Sequence, residues 1–161
     1  MFKQACCAAA ILLAAMFSGV STASAQFVDW FGGGVLTQVT DCPAGNIAAV
    51  TNRAFHARYR HPGLPGNGDD ALLSMFFNNW AFNFRRVGGP LPPTFEVVNG
   101  TFIGGGSGTY KPRLRILDHD PAPETIDQNT PAITLEGIIK KFSGFPGNEN
   151  CVVRFITTMF R

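Results

Sequence analysis

The sequence lacks the short motifs by which catalytic and metal-binding sites are most often recognised. It contains no Cys-x-x-Cys pair, so neither a thiol redox site nor a cysteine-rich zinc site is indicated. No serine stands in a Gly-x-Ser-x-Gly context, and no glycine-rich stretch is followed by Lys-Ser or Lys-Thr. These absences favour a non-enzymatic protein without a metal or a cofactor, and they leave every catalytic role unassigned.

The chain also lacks an apolar run long enough to cross a membrane as a helix. Its strongly apolar stretch, Ala8–Phe17, is about half of the roughly 20 residues that a spanning helix needs. Lys3 precedes this stretch and Ala23-Ser24-Ala25 follows it. A basic start, a short apolar core and small residues at the end are typical of a secretory signal. We therefore predict a signal peptide over 1–25, cleaved after Ala25, and one secreted or periplasmic domain over 26–161.

Charged residues are few, at 15% of the chain. Removing Lys3 with the signal reduces Lys plus Arg from 13 to 12, against 11 acidic residues, so the mature net charge is near +1. A net charge this small does not attract a polyanion over long distances, and we expect no nucleic-acid partner. Several predicted strands are shorter than the roughly 9–11 residues of a membrane-spanning strand, so we do not expect an integral membrane protein.

Two of the four cysteines remain after cleavage. Cys42 and Cys151 are 109 positions apart, and two cysteines in an exported chain most often pair. We predict a disulfide between them that joins the start of the mature domain to its end.

Short apolar runs separated by glycine and proline recur through the mature chain and predict an all-β domain. No helical crossover pattern separates these runs, so the strands should be antiparallel. About seven to nine strands would fit an antiparallel β-sandwich or a small β-barrel equally well. The predicted strands are Val35–Cys42, Phe55–Arg60, Leu72–Val87 (one bent strand, or two around Asn78-Asn79), Thr94–Ile103, Thr109–Leu117, Ile133–Phe142 and Cys151–Phe160.

Glycine clusters and a proline-punctuated stretch predict the connections. Gly32-Gly33-Gly34 and Gly104–Gly108 are interpreted as turns or flexible loops, and Asp118–Pro131 as a polar loop.

Arginines form the one pattern that suggests a binding site. Arg58 and Arg60 share a face of one predicted strand, and Arg113 and Arg115 share a face of another. If these strands are neighbours, the four side chains form a basic stripe that could bind a carboxylate, sulfate or phosphate group. The expected partners are an anionic small molecule, a glycan or an envelope protein.

A histidine between two carboxylates is the best local candidate for acid–base chemistry. Asp118 and Asp120 flank His119, although adjacent residues of an extended chain point to opposite sides. His56, His61 and His119 are interpreted as solvated surface residues and not as metal ligands.

The leading hypothesis is therefore an exported binding or interaction module, and two alternatives stay open. The first is a barrel that carries a small apolar ligand, because Met75–Phe84 is rich in aromatic side chains that could line a cavity or simply form the core. The second is a hydrolase or lyase that uses His119 with nearby carboxylates.

Overall fold

The computed structural model describes residues 28–42, 50–64, 70–92, 96–104, 111–142 and 150–161. The predicted signal peptide over 1–25 lies outside these residues, as do residues 105–108 of the loop predicted at Gly104–Gly108, whereas Gly104 itself is the last residue of a strand. In the described part of the chain, no helix has both the length and the apolar character needed to cross a membrane.

Eight antiparallel strands form one closed barrel, in which each strand pairs with its neighbours along the chain and the first pairs with the last. This confirms the all-β prediction and selects the barrel over the sandwich. The strands are β1 (Asp29–Thr40), β2 (Ala54–Arg60), β3 (Ala71–Phe76), β4 (Trp80–Arg86), β5 (Val98–Gly104), β6 (Arg113–Asp120), β7 (Ala132–Lys140) and β8 (Val152–Phe160).

β1 begins earlier than predicted, because the glycine triplet lies within the strand and not in a turn. Gly32 and Gly34 share the inward face of β1 with Trp30, which is fully buried. A Cβ atom on Gly32 would overlap the backbone oxygen of Thr158 on β8, and one on Gly34 would overlap the ring of Phe55 on β2. These two glycines therefore serve close packing at the β1–β8 junction.

The apolar segment from Leu72 to Val87 folds as two strands, the second of the two predicted forms. β3 and β4 are joined by Phe77–Asn79, and Met75 pairs with Phe82 across the hairpin. Both of these side chains are fully buried, while the alternate positions point outward, as the period of two requires.

β6 continues through a stretch that was predicted as a loop. A bulge between Ile116 and Asp118 shifts the register, after which Asp118 pairs with Glu136 and Asp120 with Thr134 on β7. The side chains of Asp118 and Asp120 face outward, so these polar residues mark an exposed strand face and not the end of the strand.

β5 meets β6 over a short stretch. Among the described residues the two strands pair at Val98–Leu114 and Asn99–Arg113, and the Gly100 N–H donates to the Pro112 carbonyl oxygen at 2.8 Å. Because Pro112 has no N–H to contribute, it stands just before β6, as expected for a proline at the margin of a sheet.

The inward side chains of all eight strands fill the barrel. Phe82 packs among Phe84, Phe102 and Phe142, with ring centroids 5.1–5.8 Å away. The largest fully buried side chains are Trp30, Tyr59, Phe82, Phe84, Phe142, Phe155, Leu36, Leu73, Met75, Leu91, Leu114 and Ile116.

Cys42 and Cys151 form a disulfide, which confirms the predicted pair. Cys42 follows β1 and Cys151 precedes β8, and these strands are neighbours that pair as far as Thr40 and Val152. The bond therefore fastens one end of the junction at which the barrel closes.

Candidate functional site

The four predicted ligand-binding arginines lie on two separate walls of the barrel. Arg58 and Arg60 are on β2, whereas Arg113 and Arg115 are on β6, four strands away in a ring of eight. The condition for a single basic stripe, that the two strands are neighbours, is therefore not met. Each pair has a different environment and is considered by itself.

The β2 pair is bound within the protein by Asp29. Arg58 Nη2 lies 2.5 Å from Asp29 Oδ2, and Arg60 Nε lies 3.1 Å from Asp29 Oδ1. The Asp29 side chain is only 6% exposed. Burial raises the pKa of Asp29, but the hydrogen bonds and charges of the two arginines outweigh it and hold this pKa below its ordinary value. These arginines primarily stabilise a buried carboxylate.

We expect Asp29→Asn to lower the free energy of unfolding by about 1–2 kcal/mol at neutral pH, because charge-assisted hydrogen bonds to two partly exposed arginines are lost. A depressed pKa stabilises the fold above the ordinary carboxyl pKa, and this stabilisation is lost as the pH falls through the folded-state value. Urea unfolding at pH about 7 and about 2.5 should therefore show a difference between variant and wild type that shrinks in acid. The exposed Asp41→Asn is the control, and a difference that does not change with pH would contradict this role of Asp29.

A polar groove of about 610 Å³ lies on the outside of the barrel, across β3, β4 and β5. This volume falls within the range of about 300–1,000 Å³ that is typical of small-molecule sites. Strand register assembles the groove, because Leu72 pairs with Arg85 and Asn83 pairs with Thr101. The lining residues are Leu72, Asn83, Arg85, Asn99, Gly100, Thr101 and Lys111.

The charge at the groove is positive. Arg85 Nε donates to Asp70 Oδ2 at 2.6 Å, yet the Arg85 side chain stays 67% exposed. Hydrogen bonds from Arg85 and from the Gly88 N–H hold the pKa of Asp70 below its ordinary value, so this carboxylate stays ionised. Lys111 makes no ion pair with a described residue, and its ammonium group supplies the excess positive charge.

Asn83 is an unusual residue at its position in β4. Asparagine is depleted in strands, and the buried Oδ1 atom of Asn83 accepts no hydrogen bond from the described residues. A buried acceptor without a donor costs about 1–3 kcal/mol. The amide of Asn83 therefore lowers the stability of the barrel, and Asn83 is one of the residues that line the groove.

The sequence predicted none of the residues that line this groove. Of the predicted arginines, Arg113 lies next to it, paired with Asn99. The groove's residues come from three strands and one loop, so no short spacing in the sequence connects them. The one local signal was Asn83, a polar amide between the buried residues Phe82 and Phe84.

The three histidines differ in their environments. His56 is exposed on the outer face of β2, as predicted, but His61 is only 9% exposed, which corrects its interpretation as a surface residue. His61 follows Tyr59 by two residues and so faces inward as Tyr59 does. Its Nε2 lies 2.8 Å from the carbonyl oxygen of Pro123. In the described residues, no group of three or more His, Cys, Asp or Glu side chains could hold a metal ion.

A small pocket of about 100 Å³ is lined by Asp118, His119, Asp120 and Glu136, although the strand register places the two carboxylates and the imidazole on opposite faces of β6. Asp118 lies opposite Glu136 on the outer face and Asp120 shares that face, whereas His119 lies opposite the buried Leu135. Asp118 Oδ1 accepts a hydrogen bond from the His119 backbone N–H at 2.8 Å. The residues of the hydrolase or lyase hypothesis therefore meet only at this small pocket, and the hypothesis stays a prediction.

The aromatic residues of the carrier hypothesis pack mostly against one another. Phe77 stacks on Trp80 with ring centroids 3.6 Å apart, and Trp80 lies edge-on to Phe82 at 5.1 Å. Phe76 instead points outward and is 43% exposed. These contacts favour the core interpretation of the segment, and the apolar carrier stays a prediction.

The fold and the groove together define a closed eight-stranded antiparallel β-barrel with a packed core and a polar site on its outer wall. No protein-family model, curated protein or solved structure matches the chain.

Proposed function

We propose that this chain is an exported, non-enzymatic binding module that holds a small anionic ligand in the polar groove. The observation that carries the proposal is the groove itself, where an ammonium group and two side-chain amides converge on the outside of a filled barrel. The disulfide between Cys42 and Cys151 supports an oxidising compartment, since such bonds persist mainly outside the cytoplasm.

The chemistry of the lining matches a ligand that carries both an acidic group and hydroxyl groups. Lys111 and Arg85 suit a carboxylate or sulfate. Asn99 and Thr101 both donate and accept hydrogen bonds, as ligand hydroxyl groups also do. Leu72 adds an apolar contact beside them. A sugar acid has all of these features.

Asn83 provides a second argument for a ligand in the groove. A β-branched residue would suit the strand better and would leave no buried acceptor unpaired. Local departures from what the fold prefers are expected where a residue serves function. We therefore propose that the Asn83 amide, on the wall of the groove, turns toward the ligand when one binds.

We expect the mature protein to bind D-galacturonate in preference to D-galactose, since these sugars differ in one carboxylate. Asn83→Val should weaken binding by about tenfold, the equivalent of one hydrogen bond, while leaving the melting temperature unchanged or higher. Isothermal titration calorimetry and thermal unfolding measure the two effects.

Gln38→Val is the matched control, because it removes an exposed amide from the outer face of β1 and should leave binding unchanged. Equal affinity of Asn83→Val and wild type would contradict the assignment of the groove. Absence of any preference for the acidic sugar would contradict an anionic ligand.

A further inference from the structure

A row of cations continues from the groove onto the neighbouring strands. Asn99 lines the groove and pairs with Arg113 on β6, and Arg113 pairs with Lys140 on β7. Lys111, two residues before Arg113, also lines the groove. All three cationic side chains are exposed. We call Lys111, Arg113 and Lys140 the basic row.

The basic row has no acidic counterpart among the described residues. The ion pairs there use other cations: Arg58 and Arg60 with Asp29, Arg85 with Asp70, Arg86 with Glu96, and Arg154 with Glu136. Glu136 and Asp118 lie farther along β7 and β6, beyond the bulge. The outer face of these strands is therefore basic where it adjoins the groove and acidic at its far end.

Direct pairing of two like charges disfavours the fold. Arg113 and Lys140 face each other across adjacent strands, an arrangement that repels where opposite charges would attract. A bound anion would remove this repulsion. The pair therefore resembles Asn83. Both lower the stability of the protein without ligand, and both lie beside the same groove.

The spacing of the cations suits a chain of negative charges. Neighbouring strands are about 4.8 Å apart and alternate residues of one strand about 6.8 Å apart. One sugar unit has a comparable length, so successive acidic units could meet successive cations. None of the lining residues that the structure describes is aromatic, which disfavours a single-stranded nucleic acid, whose bases stack on aromatic rings.

We propose that the ligand is an acidic oligosaccharide that occupies the groove with one unit and continues across β5 onto Arg113 and Lys140. This inference rests on the proposed function and specifies its ligand class. Arg113, one of the sequence-predicted arginines, then acts together with Lys140 and not with Arg58 or Arg60.

The test is a calorimetric series of oligogalacturonates from one to about four units at low ionic strength, with the mature protein. We expect affinity to rise by about tenfold or more from the monomer to the trimer, and most of this gain to disappear at about 0.5 M salt, where screening is strong. Arg113→Gln combined with Lys140→Gln should abolish the gain with length and raise the melting temperature without ligand. Arg161→Gln removes one exposed cation elsewhere and should keep the gain.

Four results would overturn the proposal. If the monomer binds but length adds nothing, or if the double variant keeps the gain, the basic row is not part of the site, although the groove function stands. If no galacturonate of any length binds, the proposed function fails as well. Tighter binding of a charge-matched single-stranded oligonucleotide would assign the row to a different class of partner.

Discussion

Gly32→Val is expected to prevent normal closure of the barrel. A side chain at this position would overlap the Thr158 backbone oxygen, and its Cβ would lie 2.7 Å from Met159 Cα. Because these atoms belong to the backbone of β8, they cannot move away as a flexible side chain could. Overpacking in a core usually costs about 1–3 kcal/mol, and separation of β1 from β8 should bring the loss to the upper end of that range or beyond. Urea unfolding monitored by tryptophan fluorescence measures it.

Gly33→Ala is the matched control within the same triplet. Gly33 faces outward, and the nearest atom to its Cβ would be the Phe55 carbonyl oxygen at 3.3 Å. We expect a change of less than about 1 kcal/mol, since alanine is not otherwise excluded from an outward strand position. Similar losses for the two substitutions would show that the glycines supply chain flexibility and not close packing.

Loss of the disulfide is the second large effect that we expect. The bond closes a loop of 109 residues, which in the chain-entropy model is worth roughly 4–5 kcal/mol of unfolded-state entropy. The double variant Cys42→Ser with Cys151→Ser should therefore lose about 3–5 kcal/mol and melt roughly 10–15 °C lower. Differential scanning calorimetry of the mature protein provides the measurement.

The reducing agent supplies the control for this experiment. Wild type in a reductant should melt close to the double variant, and the variant itself should not respond to the reductant. A wild-type melting temperature that stays unchanged after full reduction would contradict a stabilising role for the bond.

Most of the fold was predicted from the alternation of apolar and polar residues with a period of two. This alternation placed β2, β7 and β8 to within two residues at either end, because apolar and polar side chains alternate cleanly there. It failed at Gly32–Gly34, since composition alone cannot separate a glycine required for close packing from one required for a turn. It also failed at Asp118–Asp120, where the strand continues with polar residues on its outer face.

The site was less predictable because it depends on strand register. The i, i+2 spacing showed that Arg58 and Arg60 share a face, but not that Asp29 lies opposite Arg60 and binds both. Likewise, Arg113 was identified without its neighbour Lys140, which is 27 residues away in the sequence. Pairs of this kind become visible only when the order and offset of the strands are known.

Ligand should bind on the outer wall while the barrel interior stays packed. Two-dimensional ¹H–¹⁵N NMR of the mature protein during titration with D-galacturonate tests it most directly. We expect the shifted signals to cluster at Asn83, Asn99, Thr101 and Lys111, with the indole signal of the buried Trp30 unchanged. Shifts centred on Trp30 and other interior residues would show that the ligand enters the barrel and would contradict binding in the groove.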